Sequence, residues 1–332
     1  MPLTLKNIAE MVGVAESTVS RALNGKSGVG EETRKKIMAI AEKYNYSPNK
    51  MARGLAKQET KMLALFLPDL STPAYVSIIE SIEDVANARG YQIILCNTKN
   101  SPEKEKAYLE LVERNQVDGA IIAGGKLADE HIVKAALNER NNLVLVNRLV
   151  EEVFIPTVLI DKAYGAYLAT EYLIRQGENK CPAIIMGSED EYVESQKLAG
   201  YKRALAAYNI SFSDDYVVGT DGSRKQGYEA FLQLVERKEV PRSFFVTRDV
   251  LAVGLIEAVK MGGYFIPADF RIVGYGKTLL TSMIDPQLTA VAEPLQETGE
   301  IAAKYLIDLI GGKSPEQGIR VLNPVLEDGD SA

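Results

Sequence analysis

Tryptophan is absent from the 332 residues, histidine occurs once and cysteine twice. The single histidine, His131, sits in DEHIVKAAL with no cysteine or second histidine beside it. A histidine-centred metal site or Ser-His-Asp arrangement is therefore not expected, and a surface histidine is the plain reading. Cys96 and Cys181 are far apart and each adjoins an apolar run. Buried free thiols in a reducing compartment fit this better than a disulfide. No apolar run reaches the roughly 18 residues of a membrane span. The opening MPLTLKN has no apolar leader core, so a cytoplasmic protein without a membrane partner is expected. Phosphate-binding glycine loops of the dinucleotide and Walker types are also missing. Gly124-Gly125-Lys126 follows an apolar run but lacks the spacing and the Ser/Thr, and reads as a turn. No cofactor and no metal are expected.

The charge is unevenly spread. The net charge is −7, but Met1–Lys61 holds 11 Lys+Arg against 6 Asp+Glu, and the remainder 27 against 39. A basic head on an acidic body is expected where only one end meets phosphate. At 332 residues and 46% hydrophobic, the chain can form two or three domains with a sizeable core.

The basic end reads as helices. In LKNIAEMVGVAESTVSRALN, Leu5, Ile8, Ala9 and Val12 share one helical face. Gly13 suits a tight inter-helix turn. From Glu16 to Asn24, Val19, Ala22 and Leu23 fall in one sector, and Glu16, Ser17, Ser20, Arg21 and Asn24 in another. Such a donor-rich face suits the DNA major groove, where Arg pairs with guanine and Asn with adenine. An ordinary helix pair with a solvated face is the other reading. Glu31–Asn45 reads as a third helix, with Ile37, Ile40, Ala41 and Tyr44 inward and Arg34, Lys35, Lys36 and Lys43 outside.

SPNKMARGLA follows. Ser47 and Pro48 are helix-start chemistry, but a helix this short is marginal alone and Gly54 weakens it further. Leu55 can be inserted between base steps in a minor groove, or it packs on the body and the segment is a plain linker.

From Met62 the texture changes to short apolar runs alternating with helical patterns: MLALFL, YQIILC, GAIIA, LVLV and TVLI, then a second series after Asp161. Two successive doubly wound parallel units imply two lobes, with ligand bound beyond the carboxyl ends of the strands.

The head phrases LTLKNIAEMVGVAESTVSRALNG, EETRKKI and YSPNKMARGL, with VDGAII, VLVNR, LAGYKRAL, RDVLAVGL and RIVGYG in the body, resemble the lactose/galactose repressor (LacI/GalR) family of bacterial transcription regulators. The resemblance implies a small all-α helix-turn-helix head and an α/β two-lobed body of the type I periplasmic-binding-protein fold, with two doubly wound parallel sheets. It implies a head at 1–47, a hinge helix at 48–61 and a body at 62–332. The first lobe would take about 62–161 and 292–320, the second about 162–291 and 321–332. It further implies a homodimer on a pseudo-palindromic operator, repressing transcription under control of a cleft effector.

Carried over by position, Ser17 and Arg21 are the expected base readers, with Glu16 at the other reading position. Thr4, Thr18, Ser20 and Asn24 are expected on phosphate. Leu55 is the expected wedge, with Ala52 and Arg53 on the same hinge helix. The recognition helix begins on Ala15 where the family usually has Ser, which forfeits an N-cap worth about 1 kcal/mol.

In the cleft, Arg148, Asp161 and Asp249 match the family pattern, and Tyr75, at the start of the first body helix, is expected to stack on the ligand. The usual Asp after Gly-Tyr is Gly276, and an effector-binding Arg falls on Glu191. Lys197 directly precedes the LAG phrase. Lys162, Arg248 and Lys277 stand where Asn is common. One expectation is an anionic effector, a sugar acid or sugar phosphate, paired with Arg148, Lys162, Arg248 and Lys277. The other is a degenerate pocket in which these cations pair with Asp161, Asp249 and Glu191, and a protein corepressor governs DNA binding as in the catabolite-control branch. A solute-binding protein would share the body fold but would have no use for the head. No nucleophile–base pair marks an enzyme.

Overall fold

The computed structural model describes residues 4–44, 46, 59–125, 128–138, 141–177, 180–187, 191–237, 240–315 and 317–332. The chain divides into two compact units, residues 1–61 and 62–332.

In the first unit, α1 (Leu5–Val12), α2 (Glu16–Leu23) and α3 (Glu31–Lys43) enclose Ile8, Ala9, Val19, Ala22 and Ile37. Thr4 and Asn7 form a reciprocal capping box at the start of α1. Gly13 ends α1 in the left-handed region at φ 73°, its N–H bonded to the Ala9 carbonyl at 2.9 Å. That conformation suits glycine because it has no Cβ. α2 has no side-chain cap at Ala15. It stops at Leu23, one residue short of the sequence expectation, because Asn24 turns its side-chain amide back to the Ser20 carbonyl at 2.7 Å.

In the second unit, two six-stranded sheets repeat one strand order. The first has the order β11-β5-β4-β3-β1-β2, with β1 (Met62–Leu67), β2 (Gln92–Asn97), β3 (Gly119–Ala123), β4 (Leu143–Val146), β5 (Thr157–Ile160) and β11 (Ile319–Leu322). One face packs on α4 (Ala74–Ala88) and α12 (Leu295–Ile310), the other on α5 (Pro102–Glu113) and α6 (Asp129–Ala136). The strands read as unbroken apolar runs because both faces are buried.

The second sheet has the order β12-β10-β9-β8-β6-β7, with β6 (Ala183–Met186), β7 (Val217–Gly219), β8 (Ser243–Val246), β9 (Arg271–Gly276), β10 (Thr289–Ala292) and β12 (Val325–Glu327). Its faces are covered by α7 (Lys162–Gln176) with α8 (Glu191–Ala207), and by α9 (Arg224–Val235) with α10 (Asp249–Met261). The chain passes between lobes after β5, after β10 and after β11.

Three features depart from the sequence expectation. β12 is antiparallel to β10, so the second sheet is not wholly parallel. α11 (Leu279–Met283) was not anticipated. Cys96 and Cys181 are both free, but only Cys96 is fully buried.

Candidate nucleic-acid face and ligand cleft

On α2, packing Val19 and Ala22 inward leaves Glu16, Ser17 and Arg21 exposed. Thr18, Ser20 and Asn24 are half-buried beside them. Thr4 has a competing role, since its hydroxyl donates to Asn7 Oδ1 at 2.6 Å. Its proton is thus engaged in the cap rather than directed outward. Arg53 and Leu55 lie outside the described residues. Sequence reasoning missed Arg34, which it placed on an outer face. Its guanidinium reaches from α3 to the Ala22 carbonyl at 2.9 Å and to the Lys26 carbonyl. It therefore satisfies carbonyls at the C-terminal end of α2, where a cation is also favoured by the helix dipole.

In the body, the cavities lie one or two residues past strand ends, as doubly wound sheets dictate. Asp69 follows β1, Gly124 follows β3 and Asn147 follows β4 in the first lobe. Thr247 and Arg248 follow β8, and Glu293 follows β10 in the second. The larger cavity is about 280 Å³ and the smaller about 80 Å³, and they share Thr72, Ala74, Lys162, Val193, Arg248 and Glu293. They form one cleft between the lobes.

Of the expected cleft residues, Tyr75, Lys162, Lys197, Arg248 and Asp249 line it. The Lys162 ammonium is ion-paired with Glu293, with both side chains nearly buried. Lys197 is 3% exposed and donates to Glu194 at 3.0 Å and to the Thr247 carbonyl at 2.9 Å, and its ammonium stands 4.6 Å from the Tyr275 ring centre. Glu194 in turn accepts from the Thr247 hydroxyl at 2.9 Å.

The remaining expected residues are engaged away from this lining. Arg148 pairs with Asp129 at 2.6 Å and faces the buried Glu105 at 4.0 Å. Lys277 pairs with Glu327 on β12 at 2.5 Å. Asp161 caps α7, accepting the Tyr164 N–H at 2.7 Å. Glu191 opens α8, and its side chain is outside the described residues. Of the four expected cations, Lys162 and Arg248 line the cavities and Arg148 and Lys277 do not. Among the described residues, Lys162, Arg148 and Lys277 pair with Glu293, Asp129 and Glu327, acids that the degenerate-pocket expectation did not name. The carboxylates that hold them, Glu293, Glu194 and Asp129, were missed because they come from other elements with no local sequence signal.

Asp249 is the exception among the charges. It is 5% exposed, and Oδ2 accepts the Thr278 N–H at 2.8 Å. Oδ1 has no hydrogen-bond partner among the described residues, and the buried Tyr275 hydroxyl lies beside Glu293. Burial holds the Asp249 pKa above the usual carboxylate value, against the bonds from Thr278 and the Lys197 charge, with Glu293 adding to the rise. Burial and the neighbouring Glu293 likewise push the Tyr275 phenol well above its ordinary value. A Cβ at Gly276, where φ is 124°, would lie 3.1 Å from Asp249 Oδ1. The space beside that missing side chain is held by the Asp249 carboxylate.

A helix-turn-helix head with an exposed donor face, in one chain with a two-lobed cleft body, defines a DNA-binding transcription regulator that carries a ligand-binding unit. Residues 4–49 match the model for bacterial regulatory proteins of the lacI family. Residues 60–325 match the model for periplasmic binding proteins and the sugar binding domain of the LacI family. The chain belongs to the LacI family of bacterial regulatory proteins. It is 34% identical to catabolite control protein A of Priestia megaterium over 96% of both chains. It is 31% identical to the HTH-type transcriptional repressor PurR of Proteus mirabilis, over 97% of this chain and 95% of that one. A solved complex of the transcriptional regulator CelR with cellobiose is similar at 26% identity and a TM-score of 0.72, covering 99% of this chain and 100% of that one. The named relatives are transcription regulators rather than enzymes.

Proposed function

We propose that the protein represses transcription as a homodimer on an inverted-repeat operator, and that a small molecule in the interlobe cleft sets its operator affinity. The cleft floor carries this reading: Asp249 Oδ1 is a buried polar atom without a hydrogen-bond partner among the described residues. Buried polar groups are ordinarily bonded, so a polar site of this kind is suited to hydroxyl or amine donors. The cellobiose complex of a relative supports a carbohydrate. The anionic effector expected from the sequence is disfavoured, because Lys162 and Lys197 are already held by carboxylates.

In the head, Arg21 and Ser17 read base edges and Glu16 accepts from cytosine N4. Thr18, Ser20 and Asn24 position the helix on phosphate. Residues 1–47 serve as head, 48–61 as hinge with Leu55 as the minor-groove wedge, and 62–332 as effector body. Ligand alters the lobe angle, the lobe angle alters hinge spacing, and two hinge helices together bend the duplex. No catalytic role is proposed.

The experiment is selection of bound sites from random duplex by the full chain, with and without a panel of sugars. Enrichment of an inverted repeat whose recovery changes with one sugar is the expected result. An inverted repeat unaffected by every sugar would favour the catabolite-control reading, in which a protein corepressor replaces the small molecule. The identity to a catabolite control protein is the observation that keeps that reading in view.

A further inference from the structure

The chain crosses between the lobes three times, and the crossings are tied to one another. The first runs from β5 through Asp161 into α7, the second from β10 through Glu293 and Pro294 into α12, and the third from β11 through Asn323 and Pro324 into β12. The Asp161 N–H donates to the Leu322 carbonyl at 2.9 Å, joining the first crossing to the third. A Cβ at Gly165 would lie 2.9 Å from the Pro324 ring and 2.7 Å from the Tyr275 hydroxyl oxygen, so α7 rests directly on the third crossing and on β9. The Lys162–Glu293 ion pair joins the first crossing to the second. The Lys162 ammonium stands 5.9 Å from the Tyr275 ring centre, and the Tyr275 hydroxyl lies beside Glu293.

We propose, on the reading of the cleft as the effector site, that the Lys162–Glu293 pair is a clasp on the interlobe hinge. Ligand opens it by donating hydroxyls to the Glu293 carboxylate, which frees the crossings to turn. Three observations support this role. Both side chains line both cavities, so a ligand in either one meets the pair. Lys162 opens α7 of the second lobe and Glu293 lies just ahead of α12 of the first, so loosening the pair is felt by one helix of each lobe. Lys197 is held by Glu194 and the Thr247 carbonyl, and so does not stand in for Lys162 at Glu293.

A nearly buried pair tolerates little, because withdrawing one partner leaves the other charge uncompensated. A sugar hydroxyl is a suitable replacement donor, since hydrogen bonds to an ionised group are shorter and stronger than those between neutral groups. The clasp thus has two arrangements, closed on itself or shared with ligand, and ligand shifts the balance by binding the second better. Removing Lys162 leaves the Glu293 carboxylate without its competitor for ligand hydroxyls. Removing the Glu293 charge takes away the acceptor. The two changes act alike on the hinge and oppositely on the ligand.

The test uses the full chain carrying Lys162→Met, Glu293→Gln, or the reversed pair Lys162→Glu with Glu293→Lys. Operator Kd is measured on an inverted repeat selected by the unaltered chain. Cellobiose, glucose and galactose are the sugar probes, read by thermal shift and titration calorimetry. Without sugar, each single variant should shift the operator Kd in the same direction by at least about fivefold, and the reversed pair should return it to within about twofold. A probe that binds the unaltered chain should bind Lys162→Met more tightly and Glu293→Gln more weakly. Lys162→Arg keeps the charge and serves if the reversed pair folds poorly: it should leave the operator Kd near that of the unaltered chain. Single variants that melt lower but bind operator as before would overturn the proposal and make the pair a structural contact. A probe held equally by the unaltered chain and by both single variants would also overturn it, and leave the cleft reading intact. An operator Kd that moves with the variants while no probe binds would support the clasp and count against these sugars as its ligand.

Discussion

Replacing Arg34 by alanine separates a positioning role in the head from a phosphate contact. Arg34 lies on α3, yet it serves α2 by holding the Ala22 and Lys26 carbonyls. Hydrogen bonds from a charged donor contribute about 1.5–3 kcal/mol each when well protected. Both are only partly shielded here, so a combined loss of about 2 kcal/mol is the working figure. In a unit this small, 1 kcal/mol moves the melting midpoint by at least about 4–8 °C, which places the Arg34→Ala head transition roughly 10 °C lower. Calorimetry or amide exchange across α1–α3 reads that shift.

On DNA, the same loss appears as weaker binding of up to about thirtyfold. It falls equally on operator and scrambled duplex, and the salt dependence is unchanged. Ala15→Ser in the same background restores about 1 kcal/mol by supplying the missing N-cap. A head that melts as before, with the salt slope reduced by about one, would refute the reasoning and make Arg34 a phosphate contact.

Arg21→Ala should cost about 1–3 kcal/mol and relax preference at one base per half-site, read by competition among single-base variants; a uniform loss would contradict it. Leu55→Ala should weaken operator binding more than non-specific binding, and equal losses in the two titrations would exclude an inserted wedge. Glu194→Gln leaves the Lys197 ammonium in a nearly dry site and should destabilise the body by about 3 kcal/mol, seen as a lower melting midpoint; an unchanged midpoint would mean that the pair contributes little. Because the Asp249 pKa lies above its ordinary value, the folded state retains a proton that the unfolded chain gives up. Stability is therefore lost as pH rises from the ordinary carboxylate range through the raised value, and Asp249→Asn should flatten that dependence in melts taken across pH.

The periodicities made most of the architecture legible. Strands buried on both faces show as short apolar runs such as LVLV and GAIIA, and α1 and α2 show as amphipathic faces around Gly13. β12 and α11 escaped because they are short, and Val325–Glu327 carries an exposed, mixed pattern. In the cleft, the positions of Lys162, Lys197, Arg248 and Asp249 were readable. Their chemistry was not, because Lys162 meets Glu293 across 131 residues of chain. The same limit hid Arg34, whose exposed-looking spacing gave no sign that it serves the neighbouring helix. Arg148 and Lys277 were expected at the ligand for the same reason, and each is held by an acid from another element.

The most direct measurement is the operator affinity of the full chain across a titration of whichever sugar raises the melting temperature of the body. The account predicts that saturating sugar changes the operator Kd by roughly 5–150-fold, and that operator changes sugar affinity by the same factor. A sugar that binds the cleft with full occupancy and leaves the operator Kd unchanged would contradict it.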